Sequence, residues 1–440
     1  MKKLSLINLF ILFFLFSCQN TELENIENAN APIENNPYKV SLDEAKDIAL
    51  QFAGTMQKAP NASTRGIKVG VESVEVIQVN KATTRGSDMT NGIDTLLYAV
   101  NFSDNNGYAL VGADKRTEPI FGITDNGSFS TEDIAANPNF AFFLDLALGK
   151  AYYDIKKDSV KIADTRAIGD YGNLFLAKYQ LVTKWDQVSP YNQYCPGPYT
   201  GCVAVALSQI LSRFPVIGRV NWQDNFSSGS AILHWNKILT DCMKNDGKLL
   251  SSSQSASEVA HLMRYIGVVL EAKYKDDGTS MESKDAINWI NKWTSLKATG
   301  LKDYNSNAIL MAANTFSNKI VYMRGNTGRK KFLGITIKYT SGHAWVADGA
   351  FSATRKSDGQ FVNLFHFNWG HGGDSNGYFL ANVFDKSNPA INDYELRNYL
   401  PANQTSADSD DSGTSGNYRY NVEYSIIENP NNTGGGGNYY

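Results

Sequence analysis

The chain has 440 residues, 42% of them hydrophobic, 12% aromatic and 19% charged, with a formal net charge of −3. That is enough apolar material for more than one core, and the length suggests two or three domains. The nearly balanced charge, with no basic cluster, excludes electrostatic capture of a phosphate backbone, so no nucleic acid partner is expected.

Lys2-Lys3 precede an apolar run from Leu4 to Phe16, shorter than the ~20 residues of a membrane span. The run stops at Leu15-Phe16-Ser17-Cys18, which resembles a bacterial lipoprotein signal. Residues 1–17 are then expected to be removed and Cys18 lipidated, which anchors the chain to a membrane and withdraws one thiol from chemistry. Export to the periplasm or cell surface follows, with later release of the mature protein as a further step. The segment 18–36 carries Glu22, Glu24 and Glu27 with little to bury, and reads as a tether.

From residue 37 to 166 the pattern changes. Ser41-Leu-Asp-Glu opens a helix signal that runs to Phe52. Alternating runs at Val71–Ile77 and Leu96–Phe102, the turn signal Asn106-Gly107 and the arm Tyr108–Gly112 predict antiparallel strands. Ile120–Ile123 adds a strand, and Phe140–Gly149 predicts a helix. Three Thr-Arg dipeptides, at 64–65, 84–85 and 165–166, lie in loop-like surroundings. Exposed polar loops are nicked first, so cleavage near Arg166 by an activating trypsin-like protease is expected.

Trp185-Asp186-Gln187-Val188-Ser189-Pro190 leads to Thr200-Gly201-Cys202, where the richest chemistry begins. Val203, Ala206, Leu207, Ile210, Leu211 and Phe214 recur three and four apart, one face of a helix that Pro215 ends. Cys202 therefore sits at the helix N-terminus, where unpaired N–H groups and the dipole favour a thiolate and pull its pKa below the ordinary ~8.5. Gly201 leaves the sulfur approachable. Taken alone, such a cysteine is more often packed as a small hydrophobe than used as a nucleophile, and only the ordered Gln, His and Asn motifs reverse that.

A thiolate nucleophile needs a base, and Gly342-His343-Ala-Trp-Val-Ala-Asp-Gly349, strand-like between glycines, supplies His343. Phe367-Asn368-Trp369-Gly370-His371-Gly372-Gly373 is a second strand running into a glycine turn. There Asn368 is placed to accept from the imidazole and fix its tautomer, with Trp369 shielding that bond, and His371 is an alternative base. His234 and His261 read as structural, and His366 flanks the turn. No Cys-x-x-Cys or His-x-x-x-His spacing occurs, so neither a metal nor another cofactor is expected. With Cys18 set aside, Cys195 and Cys242 either pair as a disulfide or remain thiols.

Gly201-Cys202-Val-Ala, Gly342-His343-Ala-Trp-Val and Asn368-Trp369-Gly-x-Gly-Gly together resemble the streptopain family of bacterial cysteine peptidases. Trp185-Asp186-Gln187 with Pro190-Tyr191, the helix at Val259–Gly267, and Tyr274-x-x-x-Gly278-Thr279-Ser280 extend the similarity, as does Gly-Tyr-Ala-Leu-Val-Gly-Ala-Asp at 107–114 in the leader. The resemblance implies an α+β, papain-like two-lobed fold, with a helical lobe and an antiparallel sheet or barrel lobe at 167–428, preceded by a small α+β inhibitory pro-domain at 37–166. It implies a zymogen that hydrolyses peptide bonds through a thioester on Cys202, with Gln187 and the Cys202 N–H as oxyanion donors. Ser280 and Gly342 would line a cleft for an extended peptide with a hydrophobic S2 preference, and a monomer is expected. The family turn commonly carries a second Trp where this chain has His371, which is expected to alter pH dependence more than mechanism. Two other readings use the same residues: an amidase or acyltransferase, and an inert scaffold for surface binding. Residues 404–417 are too polar to pack, Tyr418–Ile427 reads as a closing strand, and 429–440 is a flexible tail.

Overall fold

The computed structural model describes residues 36–60, 70–78, 95–130, 134, 137–157, 171–225, 227–313, 318–326, 331–332, 335–336, 342–356, 358–388 and 421–431. The signal, Cys18, the Thr-Arg dipeptides including Arg166, the boundary at 166 and the 404–417 loop lie outside them. Among the described residues no helix is long and apolar enough to cross a membrane.

The leader opens with α1 (Leu42–Gln57), started by a capping box in which Ser41 Oγ accepts from the Glu44 N–H and the Glu44 carboxylate accepts from the Ser41 N–H. Four strands follow as an antiparallel meander, β1 (Val71–Gln78), β2 (Thr95–Phe102), β3 (Tyr108–Gly112) and β4 (Ile120–Thr124). The turn into β3 is wider than Asn106-Gly107 suggests. Asp104 and Asn105 take left-handed φ of 59° and Gly107 one of 92°, which short polar residues and glycine tolerate. Next comes α2 (Pro138–Lys156), capped by Asn137 and begun by Pro138; every residue from Asn139 to Gly149 is buried. A helix apolar on all sides needs cover on all sides.

The remaining elements are β5 (Tyr171–Ala177), α3 (Cys202–Arg213), the hairpin β6 (Arg219–Gln223) and β7 (Ser228–Ile232), α4 (Trp235–Lys244), α5 (Gln254–Val269), β8 (Lys273–Lys275), β9 (Gly278–Ser280), α6 (Ser283–Trp293), β10 (Lys297–Ala298), β11 (Lys302–Asp303), α7 (Ser306–Ala312), β12 (Lys319–Asn326), the pair β13 (Lys331–Phe332) and β14 (Ile335–Thr336), β15 (His343–Arg355), β16 (Phe361–Asn368), β17 (Gly377–Leu380) and β18 (Asn421–Glu428). Their principal sheet runs β1-β2-β3-β4-β17-β16-β15-β12-β18-β10, with β5 on β15 and β11 on β18. The leader meander joins the rest through β4 and β17, and the described residues from Tyr38 onward form one compact unit. β15 outruns the eight-residue motif read from the sequence. Gly349, taken there as a strand end, instead lets the backbone at Tyr179 approach, since a Cβ would lie 2.9 Å from the Tyr179 nitrogen.

Period-two alternation along β12 and β15 separates two apolar cores. Val321, Met323, Trp345 and Ala347 face the core shared with α1, α2 and the meander. Ile320, Tyr322, Ala344 and Val346 face the core built from α3, α5 and α6. The buried seam of the sheet also holds a charged contact. His366 Nδ1 lies 2.6 Å from Asp348 Oδ1 and its Nε2 2.8 Å from Asp125 Oδ2, the latter just past β4. Burial pushes the imidazole down, but the two carboxylates push it up further, to about 10. Its stabilisation is complete below the unfolded value of about 6.5 and is lost as pH rises toward 10. Asp125→Asn is therefore expected to cost about 1–3 kcal/mol near pH 6 and less near pH 9. Urea unfolding of the full chain at the two pH values checks this.

Candidate active site

α3 begins at Cys202, where the sequence placed it. Its N-cap Gly201 has φ of 92° and no capping side chain, and a Cβ there would lie 2.8 Å from the Met281 methyl and 3.1 Å from the Thr279 carbonyl. Glycine is thus required by conformation and by the close approach of β9, which brings the Ser280 strand against the cysteine. Cys202 is half-buried, and its thiol donates to the Gly342 carbonyl at 3.9 Å. Burial raises its pKa above the ordinary value, although the N–H groups of Ala344, Val203 and Cys202 pull it down. This corrects the expected lowering: the helix terminus is in place, but burial outweighs it, and the thiol's hydrogen bond goes to Gly342 rather than to an imidazole.

His343 opens β15 opposite Gly325 of β12. It shares the parity of Trp345, so its ring turns toward the leader, and the Phe142 ring of α2 lies 6.2 Å away, centroid to centroid. Cys202 packs against the other core. Sulfur and imidazole are held on different faces of the end of β15, and the sulfur's hydrogen bond goes to Gly342 rather than to His343. A Cβ on Gly325 would meet the Phe142 ring at 2.6 Å, so glycine here is what lets α2 lie so close.

Burial, with His371 adding repulsion, drives His343 down to about 3. A histidine depressed in the fold stabilises it above the unfolded value of about 6.5, and that stability is lost as pH falls toward 3. Lowering the pH from 7 to 5 is expected to cost the full chain about 2 kcal/mol through this group. His343→Asn should remove that share of the acid dependence, as read by urea unfolding at both pH values.

Asn368, at the end of β16, does not reach His343. Its Oδ1 accepts from Gln209 Nε2 at 3.0 Å and from the Gly370 N–H at 3.2 Å, and its Nδ2 donates to the Thr183 carbonyl at 2.8 Å. With the imidazole turned toward α2, the amide braces the strand end and the segment before Trp185. Trp369 accordingly shields no Asn–His bond. It is fully buried among Phe140, Phe143, Phe367, Phe379 and Trp345, and its indole N–H donates to Ser375. Gln187 stands near the cysteine segment, its carbonyl accepting from the Thr200 N–H at 2.8 Å, and its Nε2 lies 3.3 Å from His371 Nε2. Cys195 and Cys242 are separate thiols, the latter accepting from the Trp185 indole at 3.4 Å.

Three contributors escape a motif reading. Gln209 links Asn368, Thr183 and the Trp185 N–H. It lies seven residues after Cys202, two helical turns on, so helical spacing alone would have placed it on the same face. Asn139 of α2 donates through Nδ2 to the carbonyls of Ala344 at 3.0 Å and Trp369 at 2.6 Å, tying the leader across both catalytic strand ends. Neither Asn139 nor Phe142 carries a signal beyond the apolarity of its helix.

A cysteine on a helix N-terminus packed against an antiparallel sheet that carries the histidine defines a papain-like cysteine peptidase, here closed by its own leader. Residues 185–379 match the Peptidase C10 family, and residues 37–149 match the Spi protease inhibitor. Residues 185–379 belong to the Peptidase C10 family, the streptopain-like cysteine peptidases, with an inhibitor-like pro-domain in front. Streptopain of Streptococcus pyogenes serotype M1 is 25% identical over 392 residues, covering 78% of this chain and 85% of the relative. The thiol protease/hemagglutinin PrtT of Porphyromonas gingivalis is 23% identical over 394 residues, 79% of this chain but 39% of its own length. A solved fragment of Prevotella intermedia prointerpain A overlays with a TM-score of 0.48 at 18% identity, covering 81% of this chain and 98% of that one.

Proposed function

We propose that the chain is an exported zymogen, lipid-anchored at Cys18, cut near Arg166 by an activating protease, and active as a monomeric endopeptidase on extended peptides. Cys202 attacks the scissile carbonyl, and His343 takes the thiol proton and returns it to the leaving amine. Water then hydrolyses the thioester. Gln187 Nε2 and the Cys202 N–H donate to the oxyanion, Asn368 orients the imidazole once it has turned, and Ser280 and Gly342 border the substrate.

One observation carries this reading. The sulfur already lies against the peptide groups on both sides of His343, while a leader helix covers the imidazole. Withdrawal of α2 leaves a single side-chain movement across the end of β15 to assemble the pair. Caseinolysis by the activated full chain, with and without reductant, tests it. Hydrolysis should stop in step with iodoacetamide labelling of Cys202, rather than of Cys195 or Cys242; hydrolysis surviving complete labelling of Cys202 would overturn the assignment.

A further inference from the structure

We propose that His371 is a positioning residue for the oxyanion donor: neutral, it accepts one N–H of the Gln187 amide and leaves the other aimed at the substrate, and on protonation it turns that amide around. The inference rests on the peptidase reading given above. An amide nitrogen only donates, so the 3.3 Å contact between Gln187 Nε2 and His371 Nε2 requires a lone pair on Nε2 and the ring proton on Nδ1. A protonated ring would set N–H against N–H. The amide would then have to rotate by half a turn to offer Oε1, moving the donor away from where the oxyanion forms.

The main chain fixes His371 independently of its ring. The Gly372 N–H donates to Trp185 at 3.1 Å, the Asp374 N–H to His371 at 2.9 Å, and Gly370, Gly372 and Gly373 take φ of 75°, 61° and 88°. The turn is thereby tied to the segment carrying Gln187. Two titratable groups act on the ring, and two lysines lie against the glycine turn that carries it. Asp186 favours its protonation, and His343 repels it. Lys248 reaches the Gly372 position beside Asp186, and Lys184 lies over Gly373 while paired with Asp246 at 2.7 Å. Burial holds the ring below its ordinary pKa against the pull of Asp186, so the neutral, amide-holding state is the resting one near neutral pH.

The test compares the activated full chain with His371→Gln, His371→Asn and His371→Leu over about pH 4 to 8. It reads kcat/KM for a peptide amide beside the rate of Cys202 alkylation by iodoacetamide, a reaction that forms no oxyanion. The wild type should show an acid limb in kcat/KM that alkylation lacks. His371→Gln or His371→Asn, whose amide oxygen accepts without titrating, should lose that limb. His371→Leu should lower kcat roughly ten- to a hundredfold at every pH with alkylation unchanged. A limb that persists in both amide variants, or that appears equally in alkylation, overturns the proposal. Absence of any peptide hydrolysis in the activated wild type would instead remove the peptidase reading beneath it.

Discussion

Replacing Cys202 with alanine is expected to lower kcat/KM for peptide hydrolysis by roughly five orders of magnitude, leaving the small acceleration that binding and oxyanion donors alone provide. Among the described residues, neither Cys195 nor Cys242 can substitute. Cys195 and Cys242 are raised by burial, Cys242 to about 11, and Cys242 sits inside the helical core against Trp185. The change should be nearly silent in stability, because the sulfur's hydrogen bond is a long contact to Gly342 and α3 is held by its apolar face. Equal urea midpoints beside lost caseinolysis therefore separate chemistry from folding. Hydrolysis within tenfold of wild type would place the nucleophile elsewhere and favour the inert-scaffold reading of this fold. Loss on peptides together with loss on small amides would leave bond specificity to substrate comparison.

Much of this arrangement is legible along the chain because local rules decide it. The Ser41 capping box, the helix beginning at Cys202 and the glycine turn after Trp369 each declare themselves within a few residues and occur where read, although that helix is buried on every side from Val203 to Ser212 rather than on one face. The state of the site is not local. Whether Cys202 is a thiolate depends on what burial removes and on which way His343 turns, and the second is set by a helix some sixty residues upstream of the cysteine. Motif order brings Cys202, His343 and Asn368 to neighbouring elements but says nothing of rotamers. Asn368 shows this well: its three hydrogen bonds go to Gln209, Gly370 and Thr183, partners that no spacing rule ties to a catalytic asparagine. The joining of leader and catalytic sheet through β4 and β17 is likewise a long-range pairing that alternation alone cannot assign.

Truncating Phe142 to alanine is expected to wake the uncut chain. The ring is fully buried, contacts His343, Trp345 and Phe384, and lies in the space left by the missing side chain of Gly325. Its removal should cost about 3–5 kcal/mol, most of it at the face of α2 that covers the imidazole. Two consequences are coupled. The leader docks less tightly, and His343 gains room to turn toward the sulfur, where an imidazolium lowers the thiol pKa that burial now raises. Iodoacetamide should then alkylate Cys202 in the uncut Phe142→Ala chain roughly a hundredfold faster than in wild type. Ile155→Ala provides the comparison. It empties a buried site on the same helix about 20 Å along its axis from Phe142, so it should weaken the fold without a matching rise in alkylation. If both variants speed alkylation equally, latency is global stability; if Phe142→Ala alone does, the lock is the ring on the imidazole.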